Sequence, residues 1–368
     1  MEVMLGFFLV LLLLVCFFFY HLIKRQFVRV LSTAVLFLSV CVIFYALLLP
    51  GTAKNRSLFV EASVETESVP RVWDALDDPA IWVNPVDRSE SLVLGTDKMT
   101  GLYVYDLDGQ VLQHVKEQAY NNVDIVLSPW DGGSKSVIVA TQRSPQGIAI
   151  LELDHQDLTV DLRRSVHVDY EGPSGICAYT ARARMFLVMV TKLGEIVQYE
   201  VAKDYSLVER KYWSVESESE GCVVDSSAGT LYFGEENIGI WSTVLYPQLN
   251  EEMTLFDGVD GESLVADVEG LTIWKKAGDK YLIASSQGDN SFAVYDLNAA
   301  NYLDSFHVSG GNEFDRGVTD TDGIAATGQS LPGFPGGLLV VQDGDMAGLL
   351  GRQSFRFIDW RRVMHVLN

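Results

Sequence analysis

The sequence predicts an all-β protein, a six-bladed β-propeller preceded by an N-terminal membrane segment. Short elements, each with a carboxylate or glycine before an apolar run, occur six times at intervals of roughly 50 residues. Between them lie alternating Val, Ile, Tyr and Phe bounded by Gly, Asp and Ser, which is typical of strands. No sustained helical period occurs after residue 50, whereas the first 50 residues are mostly apolar. A repeat of this length built from short strands indicates a propeller.

The N-terminal region contains two apolar runs, residues 5–20 and 30–49, joined by a connector with Lys24, Arg25 and Arg29. One interpretation is a helical hairpin whose basic connector stays in the cytoplasm. The other places the true start near Lys24, so that the second run is a signal peptide or a single anchor. Both put the propeller outside the cytoplasm, periplasmic or extracellular, anchored to the cell membrane or secreted after cleavage. We predict a membrane anchor or signal region at 1–50, a linker at 51–57 and a propeller at 58–368.

The net charge of the chain limits the classes of partner that it can bind. It has 27 Lys and Arg against 49 Asp and Glu, and only three of the basic residues and one of the acidic residues lie in the first 50. The predicted propeller is therefore strongly acidic, which argues against nucleic acid as a partner, because such binding neutralises phosphates with clustered basic residues. The acidity suits divalent cations, or it only keeps the domain soluble.

The six elements mark the start of the innermost strand of each predicted blade. In the last four, Gly175, Gly221, Gly270 and Gly323 occupy matching positions, and the elements lie at 77–83, 121–127, 172–179, 219–224, 267–274 and 320–326. Asp108-Gly109 is a strong hairpin signal within the first blade. Leu58 to Val64 is expected to pair with the C-terminal blade near Phe355 to Ile358, so that the ring closes without a free edge.

The two cysteines of the predicted propeller occur in adjacent repeats. Cys177 and Cys222 lie at offsets of two and one from their glycines. Because side chains alternate between the faces of a strand, they are expected to point to opposite faces. We therefore predict two buried thiols rather than a disulfide.

The sequence lacks several catalytic motifs. It has no HExxH, no phosphate-binding loop ending in Gly-Lys-Ser/Thr, no CxxC pair and no GxSxG. Its six histidines are scattered without metal-ligand spacing. Zinc, P-loop and serine-hydrolase chemistry are thus disfavoured.

Carboxylates recur at the start of the innermost strands, which converge on the axis of a propeller. A ring of like charges is costly unless cations occupy it, and oxygen-rich sites favour Ca²⁺. The alternative is that each carboxylate closes a turn within its own blade. The predicted ring consists of Asp77, Asp78, Asp124, Glu220, Glu269, Asp320 and Asp322.

Cations follow the second strand in three consecutive blades, at Lys98, Arg143 and Lys192, whereas a later turn carries Glu235 and Glu236. Carboxylates and cations would then lie on opposite sides of one end of the central channel, which we call the mouth. Phosphate oxygens held between calcium and these cations would balance the charges of both sides. The alternative is that the three cations are ordinary solvated surface groups.

These residues lie in segments that resemble the β-propeller phytases, the calcium-dependent alkaline phytases of bacteria. The resemblance extends from about Phe59 to Ile358. Its most specific segments are VEASVETESV, DDPAIWVNP, NNVDI, SEG, DVEGLTI, YLIASSQG and TDTDGI, starting at residues 60, 77, 121, 219, 267, 281 and 319.

The resemblance implies a six-bladed fold with several Ca²⁺ ions, and hydrolysis by a calcium-activated water that attacks phosphorus. It implies phytate, or another phosphate ester, as the substrate. It implies catalytic calcium ligands at Glu65, Asp78, Glu220, Glu269 and Asp322, and a structural ligand at Asp343. The complete prediction has catalytic residues Lys98, Arg143, Lys192 and Glu236; substrate-binding residues Lys98, Arg143, Lys192 and Asp97; and metal ligands Glu65, Asp77, Asp78, Asp124, Glu220, Glu235, Glu269, Asp320, Asp322 and Asp343.

Three positions depart from the family pattern, and all lie on the phosphate side. Ser174 replaces a tyrosine, Leu193 stands where an acidic residue usually follows the third cation, and Met99 replaces a second lysine. Three hypotheses follow: a calcium-dependent phytase, a phosphatase or phosphodiesterase for another phosphate ester, or a non-catalytic calcium-binding propeller. We expect a monomer.

Overall fold

The computed structural model describes Val15 and residues 58–70, 75–246, 252–310, 317–344 and 352–367. Three short strands come first: β1 (Phe59–Glu61), β2 (Val64–Glu65) and β3 (Val69–Pro70). The remaining strands of the described residues form six antiparallel sheets in sequence order. The predicted six-bladed all-β propeller is confirmed.

In the first three blades, four consecutive strands pair as a meander from the innermost strand to the outermost. Blade one contains β4 (Leu76–Trp82), β5 (Leu92–Asp97), β6 (Gly101–Tyr105) and β7 (Val111–Val115). Blade two contains β8 (Tyr120–Leu127), β9 (Lys135–Arg143), β10 (Gln146–Asp154) and β11 (Val160–Val166). Blade three contains β12 (Pro173–Ala181), β13 (Arg184–Thr191), β14 (Glu195–Val201) and β15 (Leu207–Ser214).

Blades four and five repeat this meander. Blade four contains β16 (Ser219–Asp225), β17 (Thr230–Glu235), β18 (Gly239–Val244) and β19 (Thr254–Gly258). Blade five contains β20 (Val268–Lys276), β21 (Asp279–Ser286), β22 (Ser291–Asp296) and β23 (Asn301–Ser309). Blade six contains β24 (Ile324–Thr327), β25 (Leu338–Asp343) and β26 (Arg352–Asp359), and its fourth strand comes from the N-terminal side of the domain.

The N-terminal strands cover the outer edges of the last two blades. Strand β2 pairs with β26, where Val64 lies opposite Phe357, as predicted. Strand β1 instead runs parallel to β23 in blade five, with Phe59 opposite His307. The chain is therefore fastened to two blades, which removes two exposed strand edges.

The core lies between neighbouring blades, because each sheet buries both of its faces. In β9, for example, Ile138 packs toward blade one with Leu94, whereas its neighbour Val139 packs toward blade three with Leu187. Successive side chains of a strand point to opposite faces, so each blade contributes to two cores. This packing aligns the innermost strands around one axis.

A short helix, α1 (Trp360–Leu367), follows the last strand. This short helix is compatible with the absence of a sustained helical period after residue 50. Trp360 stacks on Trp274 with ring centroids 5.1 Å apart, and Val363 is buried. Eight residues are too few for a helical period to stand out in the sequence, because that signal needs a window of 11 to 18 residues.

Cys177 and Cys222 form a disulfide, with Cα atoms 5.7 Å apart, so the prediction of two free thiols is wrong. The two side chains do lie on opposite faces of their own sheets. In a propeller, however, the forward face of one blade packs against the rear face of the next. Both cysteines accordingly belong to the core between blades three and four.

Apart from Val15, the two apolar runs lie outside the described residues, and so does the whole of the predicted linker at 51–57. Among the residues that are described, no helix is both long enough and apolar enough to cross a membrane. The N-terminal membrane segment therefore stays a prediction.

Candidate active site and metal centre

One residue near the start of each innermost strand occupies an equivalent position in all six blades. In the first five blades the pairing of this strand with the second one shifts register just after its first residue, for example between Leu76 and Pro79. The residues inside the shift leave the regular ladder, which redirects their side chains. In blade six the same position directly precedes Gly323. These six ring positions are occupied by Asp77, Asn121, Ser174, Glu220, Glu269 and Asp322.

A glycine follows the ring position in the last four blades and permits close contact between blades. A Cβ atom at Gly175 would lie 1.5 Å from the Glu220 carbonyl oxygen. At Gly221 it would lie 2.0 Å from the Glu269 carbonyl oxygen. Any larger residue would push the ring positions of neighbouring blades apart. The recurrent glycine of the sequence elements thus sets the spacing of the ring.

The carboxylates of the ring meet across the axis. Oxygens of Asp77, Glu220 and Asp322 all lie within 4.8 Å of one another, although blades one and four are on opposite sides of a six-bladed ring. Two further groups extend this cluster at the same distance limit, because Glu220 and Glu236 each belong to two groups. We call the whole set the acidic band: Asp77, Asp322, Glu220, Glu218, Glu236, Asp267 and Glu269.

Burial and mutual repulsion oppose ionisation of the acidic band. Burial, followed by the charge of Asp322, raises the pKa of Asp77 well above its usual value. Burial and then the charge of Glu220 do the same for Glu269. Burial and the charge of Glu218 raise the pKa of Glu236 to about 8. A cation in the band would offset this cost.

The donor set of the band fits a hard divalent cation. Both carboxylate oxygens of Asp77 and one of Glu269 are buried without a hydrogen-bond partner among the described residues. Neighbouring buried oxygens in the same state belong to Asn121, Ser219 and Thr321. Every donor in the band is a carboxylate oxygen, which favours Ca²⁺ or Mg²⁺ over transition metals.

Two of the three predicted cations contact the band. The Lys98 ammonium lies 3.1 Å from Asp322 Oδ2 and 3.4 Å from Asp77 Oδ2, and its side chain is only 7% exposed. Lys192 is half-exposed and pairs with Glu218. Although burial lowers the pKa of Lys192, the hydrogen bond to Glu218 and the charge of Glu220 raise it above its usual value.

Arg143 is exposed, and among the described residues no ion pair is found for it. Its backbone nevertheless occupies the same place as those of Lys98 and Lys192. The residue before each of them, Asp97, Gln142 and Thr191, pairs with the first residue of the innermost strand. Three consecutive blades thus present a cation from an equivalent turn.

Asp78 and Asp124 lie outside the acidic band. Asp78 Oδ2 accepts a hydrogen bond from the Val123 amide at 3.0 Å, and Asp124 Oδ2 accepts one from the Ala178 amide at 2.7 Å. Both bonds tie one blade to the next. The two residues line an axial cavity of about 490 Å³ next to the band. Although both were assigned to the predicted ring, they do not occupy equivalent positions in their blades, because the strand pairing aligns Asp124 with Ala80.

Asp97 and Glu235 close turns. The buried carboxylate of Asp97 accepts hydrogen bonds from the amides of Met99 and Thr100, at 2.7 and 2.9 Å, and so fixes the turn that carries Lys98. Glu235 accepts from the Ser217 amide at 2.9 Å and from the Trp241 indole at 2.8 Å. Both act on the site through the backbone that they hold.

Glu65 and Asp343 both contact Arg356 and belong to none of the three carboxylate groups of the band. The Arg356 guanidinium donates to Glu65 Oε2 at 2.9 Å and to Asp343 Oδ2 at 2.9 Å. Asp320 is exposed, and its amide donates to Asn290 Oδ1 at 2.6 Å. The structure therefore does not bring these three predicted ligands together with the other carboxylates.

Three residues of the site were missed in the sequence. Glu218 and Asp267 belong to the acidic band, and Asn121 donates to Glu220 Oε1 at 2.8 Å. Each stands at or next to a recognised element, SEG, DVEG or NNVDI, so proximity to those motifs was the available signal. Ser174 takes the third ring position, where its hydroxyl donates to the Ser219 carbonyl at 2.6 Å.

Comparison with known proteins agrees with this geometry. The Phytase family profile matches residues 27–368. A relative described as a 3-phytase, from Bacillus subtilis (strain 168), is 34% identical over 322 residues, which cover 83% of this chain and 84% of the relative. A six-bladed propeller with an acidic cluster at its axis, together with this similarity over most of its length, shows that the chain belongs to the phytase family.

Proposed function

We propose that this phosphoric monoester hydrolase removes phosphate from phytate, myo-inositol hexakisphosphate, with calcium bound in the acidic band. Membership of the phytase family and the 34% identical 3-phytase support the hydrolysis of phytate. The observation that carries the role of calcium is the convergence of Asp77, Glu220 and Asp322 within 4.8 Å. Buried carboxylates at this separation repel strongly unless a cation lies between them.

Calcium bound there would lower the pKa of a coordinated water and draw phosphoryl oxygens toward the axis. We assign its binding to Asp77, Glu220, Glu269 and Asp322, with Glu218, Glu236 and Asp267 extending the site. Asn121 orients the Glu220 carboxylate through its 2.8 Å hydrogen bond. The register shift and the glycine contacts fix the backbone from which these ligands project.

The cations would hold the substrate. Lys98, Arg143 and Lys192 occupy equivalent turns on blades one to three, beside ring positions that become neutral at Asn121 and Ser174. A phosphate group placed between these cations and a calcium ion would have its charge balanced on both sides. Lys98 already contacts Asp77 and Asp322, so it is placed to stabilise negative charge that develops on the phosphoryl oxygens.

The experiment that tests this function is phosphate release from phytate as the calcium concentration is varied, with EDTA as the zero point. We expect release to need calcium and to fall about 100-fold or more in Lys98→Ala, because one stabilising contact to the phosphoryl group is lost. Arg143→Ala should weaken substrate binding and raise KM. The control is Lys203→Ala, an exposed lysine in a turn at the far end of blade three. Full activity in EDTA, or none on phytate with calcium, would reject the proposal.

The remaining expectations concern where the protein works. We propose a propeller outside the cytoplasm, periplasmic or extracellular, held at the membrane by residues 1–50 or released after cleavage. The Cys177–Cys222 disulfide supports this, because such bonds persist in oxidising compartments. Sequencing the N-terminus of the mature protein separates the anchored form from the cleaved one. We also propose a monomer, which light scattering would test.

A further inference from the structure

Neighbouring blades meet at the backbone carbonyl of the ring residue, and we call each of these six meeting points a seam. In the last four blades, the glycine after the ring position packs on the carbonyl of the next blade. The Gly270 amide donates to the Asp322 carbonyl at 3.3 Å, and the Gly323 amide donates to the Asp77 carbonyl at 3.2 Å. The first two blades have no glycine at this position, so their seams need a different contact.

In these two seams a buried threonine hydroxyl joins the blades. Each hydroxyl accepts a hydrogen bond from the amide that follows the ring position of its own blade, at 2.9 Å for Thr96 and 3.0 Å for Thr141. Each donates to the carbonyl of the ring residue of the next blade, Asn121 for Thr96 and Ser174 for Thr141. The Thr96 hydroxyl also lies 3.2 Å from the Asp78 carbonyl, which is the more distant of its two acceptors. An oxygen atom therefore lies between backbones that touch directly at the glycine seams.

The hydroxyl bridge is confined to the first two blades. The equivalent position holds Val190 in blade three and Gly234 in blade four, and neither side chain can donate a hydrogen bond. In blade five the buried hydroxyl of Ser285 has no hydrogen-bond partner among the described residues. In blade six Gln342 donates to the Leu76 carbonyl at 3.0 Å, one residue before the ring position. The two threonines thus have no counterpart in the other four blades.

The two bridged seams are those between the three blades that carry the cations. Thr96 lies in β5, two residues before Lys98, and Thr141 lies in β9, two residues before Arg143. The second bridged seam joins blade two to blade three, which carries Lys192. Two hydrogen bonds in series separate the backbones more than one direct bond does. The threonines therefore hold the cation-bearing blades farther apart than glycine contacts would.

We propose that Thr96 and Thr141 are positioning residues, which set the separation of Lys98, Arg143 and Lys192 for a ligand whose anionic groups contact more than one of these cations. This inference rests on the proposed function, because it uses the same cations to hold the substrate. Neither hydroxyl touches the substrate. Each acts through the backbone, since a change in a bridged seam moves the turn that carries a cation. Misplacement by about 1 Å is enough to reduce catalysis about 100-fold.

Binding is tested without catalysis by calorimetric titration of the calcium-loaded protein with myo-inositol hexakissulfate, an analogue of phytate that has no phosphate to release. Thr141→Val removes the hydroxyl but keeps the shape of the side chain, and it should weaken binding about tenfold. Thr141→Ser keeps the hydroxyl and should bind within about twofold of the unaltered protein. In the Arg143→Ala background, adding Thr141→Val should change binding by about twofold or less, because the threonine acts through that cation. Thr96→Val and Thr96→Ser should differ in the same way.

The matched control is Thr272→Val. The buried Thr272 hydroxyl accepts a hydrogen bond from the Ala326 amide at 2.9 Å, between blades five and six. The control thus also removes a buried hydrogen bond between blades, but it should leave binding unchanged, because neither blade carries one of the three cations. Equal weakening by the control or by Thr141→Ser would overturn the inference. So would unchanged binding in Thr141→Val, or no binding of the analogue by the unaltered protein.

Phosphate release from phytate, measured in parallel, separates this inference from the proposed function. Calcium-dependent release by a protein whose Thr141→Val variant binds the analogue normally would reject the role of the threonines and leave the proposed function intact. Weaker binding by that variant, in a protein that does not hydrolyse phytate, would support the threonines as positioning residues and reject phytate as the substrate.

Discussion

Replacing Glu220 with glutamine should have opposite effects on the metal-free and the calcium-bound protein. Glu220 belongs to two of the three carboxylate groups, so it bears more of the repulsion than most members of the band. The substitution Glu220→Gln keeps an oxygen that can accept the 2.8 Å hydrogen bond from Asn121. It therefore removes charge with little change of shape.

The size of the effect follows from the distances. Two unit charges separated by the 4.8 Å limit of these groups repel by about 3 kcal/mol at an effective dielectric constant of roughly 20. Glu220 faces Asp77 and Asp322, but burial raises the pKa of both Asp77 and Glu220, which reduces the repulsion between them. Attraction to Lys98 and Lys192 is lost as well. In the metal-free protein the substitution should therefore raise the free energy of unfolding by about 1–3 kcal/mol, which corresponds to a Tm higher by roughly 2–6 °C.

In calcium the sign reverses. One ligand is lost, so calcium affinity should fall at least about tenfold, and the Tm increase produced by calcium should shrink with it. Phosphate release should fall about 100-fold. Thermal melts in EDTA and in millimolar calcium measure both signs. The control is Asp279→Asn, which removes an exposed carboxylate at the far end of blade five.

Two results would refute the reasoning. A lower Tm for Glu220→Gln in EDTA would mean that this carboxylate stabilises the metal-free protein, contrary to the repulsion inferred from the band. An unchanged calcium-induced rise in Tm would mean that calcium stabilises the protein from another place.

Three further outcomes follow from the same geometry. The metal-free protein should lose stability between about pH 5 and 8, because Glu236, with its pKa raised to about 8, stays protonated in the folded state while the unfolded chain releases that proton. Calcium should abolish this dependence of stability on pH, and a Tm that rises between about pH 5 and 8 in the metal-free protein would contradict the expectation. Lys98→Met should lower the free energy of unfolding, measured with denaturant in the absence of calcium, by roughly 3–5 kcal/mol, since it removes one side of a buried ion pair. Lys98→Arg should recover part of this loss, and an equal loss in both variants would argue against a charge effect. The double variant Cys177→Ala, Cys222→Ala lacks the disulfide, which joins residues 45 apart in the sequence, and its free energy of unfolding should be lower by about 4 kcal/mol. A thiol reductant should have no further effect on this variant. Unchanged unfolding of the double variant would show that the bond does not constrain the chain.

The propeller was predictable because the residues that mark each repeat are ones that the close contacts between backbones require. Gly175 and Gly221 stand where the next blade comes too close for a side chain, so the element that marks each repeat is also the contact between repeats. The ring residues adjacent to those glycines were found for the same reason. Lys98 and Lys192 were found from their shared turn position.

What could not be read from the sequence depends on relations between blades. Asp78 and Asp124 were both assigned to the ring of carboxylates, and only the strand pairing shows that Asp124 corresponds to Ala80, two residues beyond the position of Asp78. The disulfide was missed because alternation within one strand says nothing about which faces of two sheets meet. Glu218 enters the band from a loop, where no periodicity marks it.

The two neutral ring positions make the charge distribution around the mouth asymmetric. Asn121 and Ser174 are adjacent members of a ring whose other four positions are acidic, and their blades carry Arg143 and Lys192 in the turns above. Six copies of one backbone would otherwise generate a nearly isotropic opening, in which a symmetric polyanion could enter in many rotations. The unequal copies create an electric field across the opening instead of only along the axis. Such a transverse field would turn an incoming polyanion before contact, so that substrate orientation begins at the distance over which charges act.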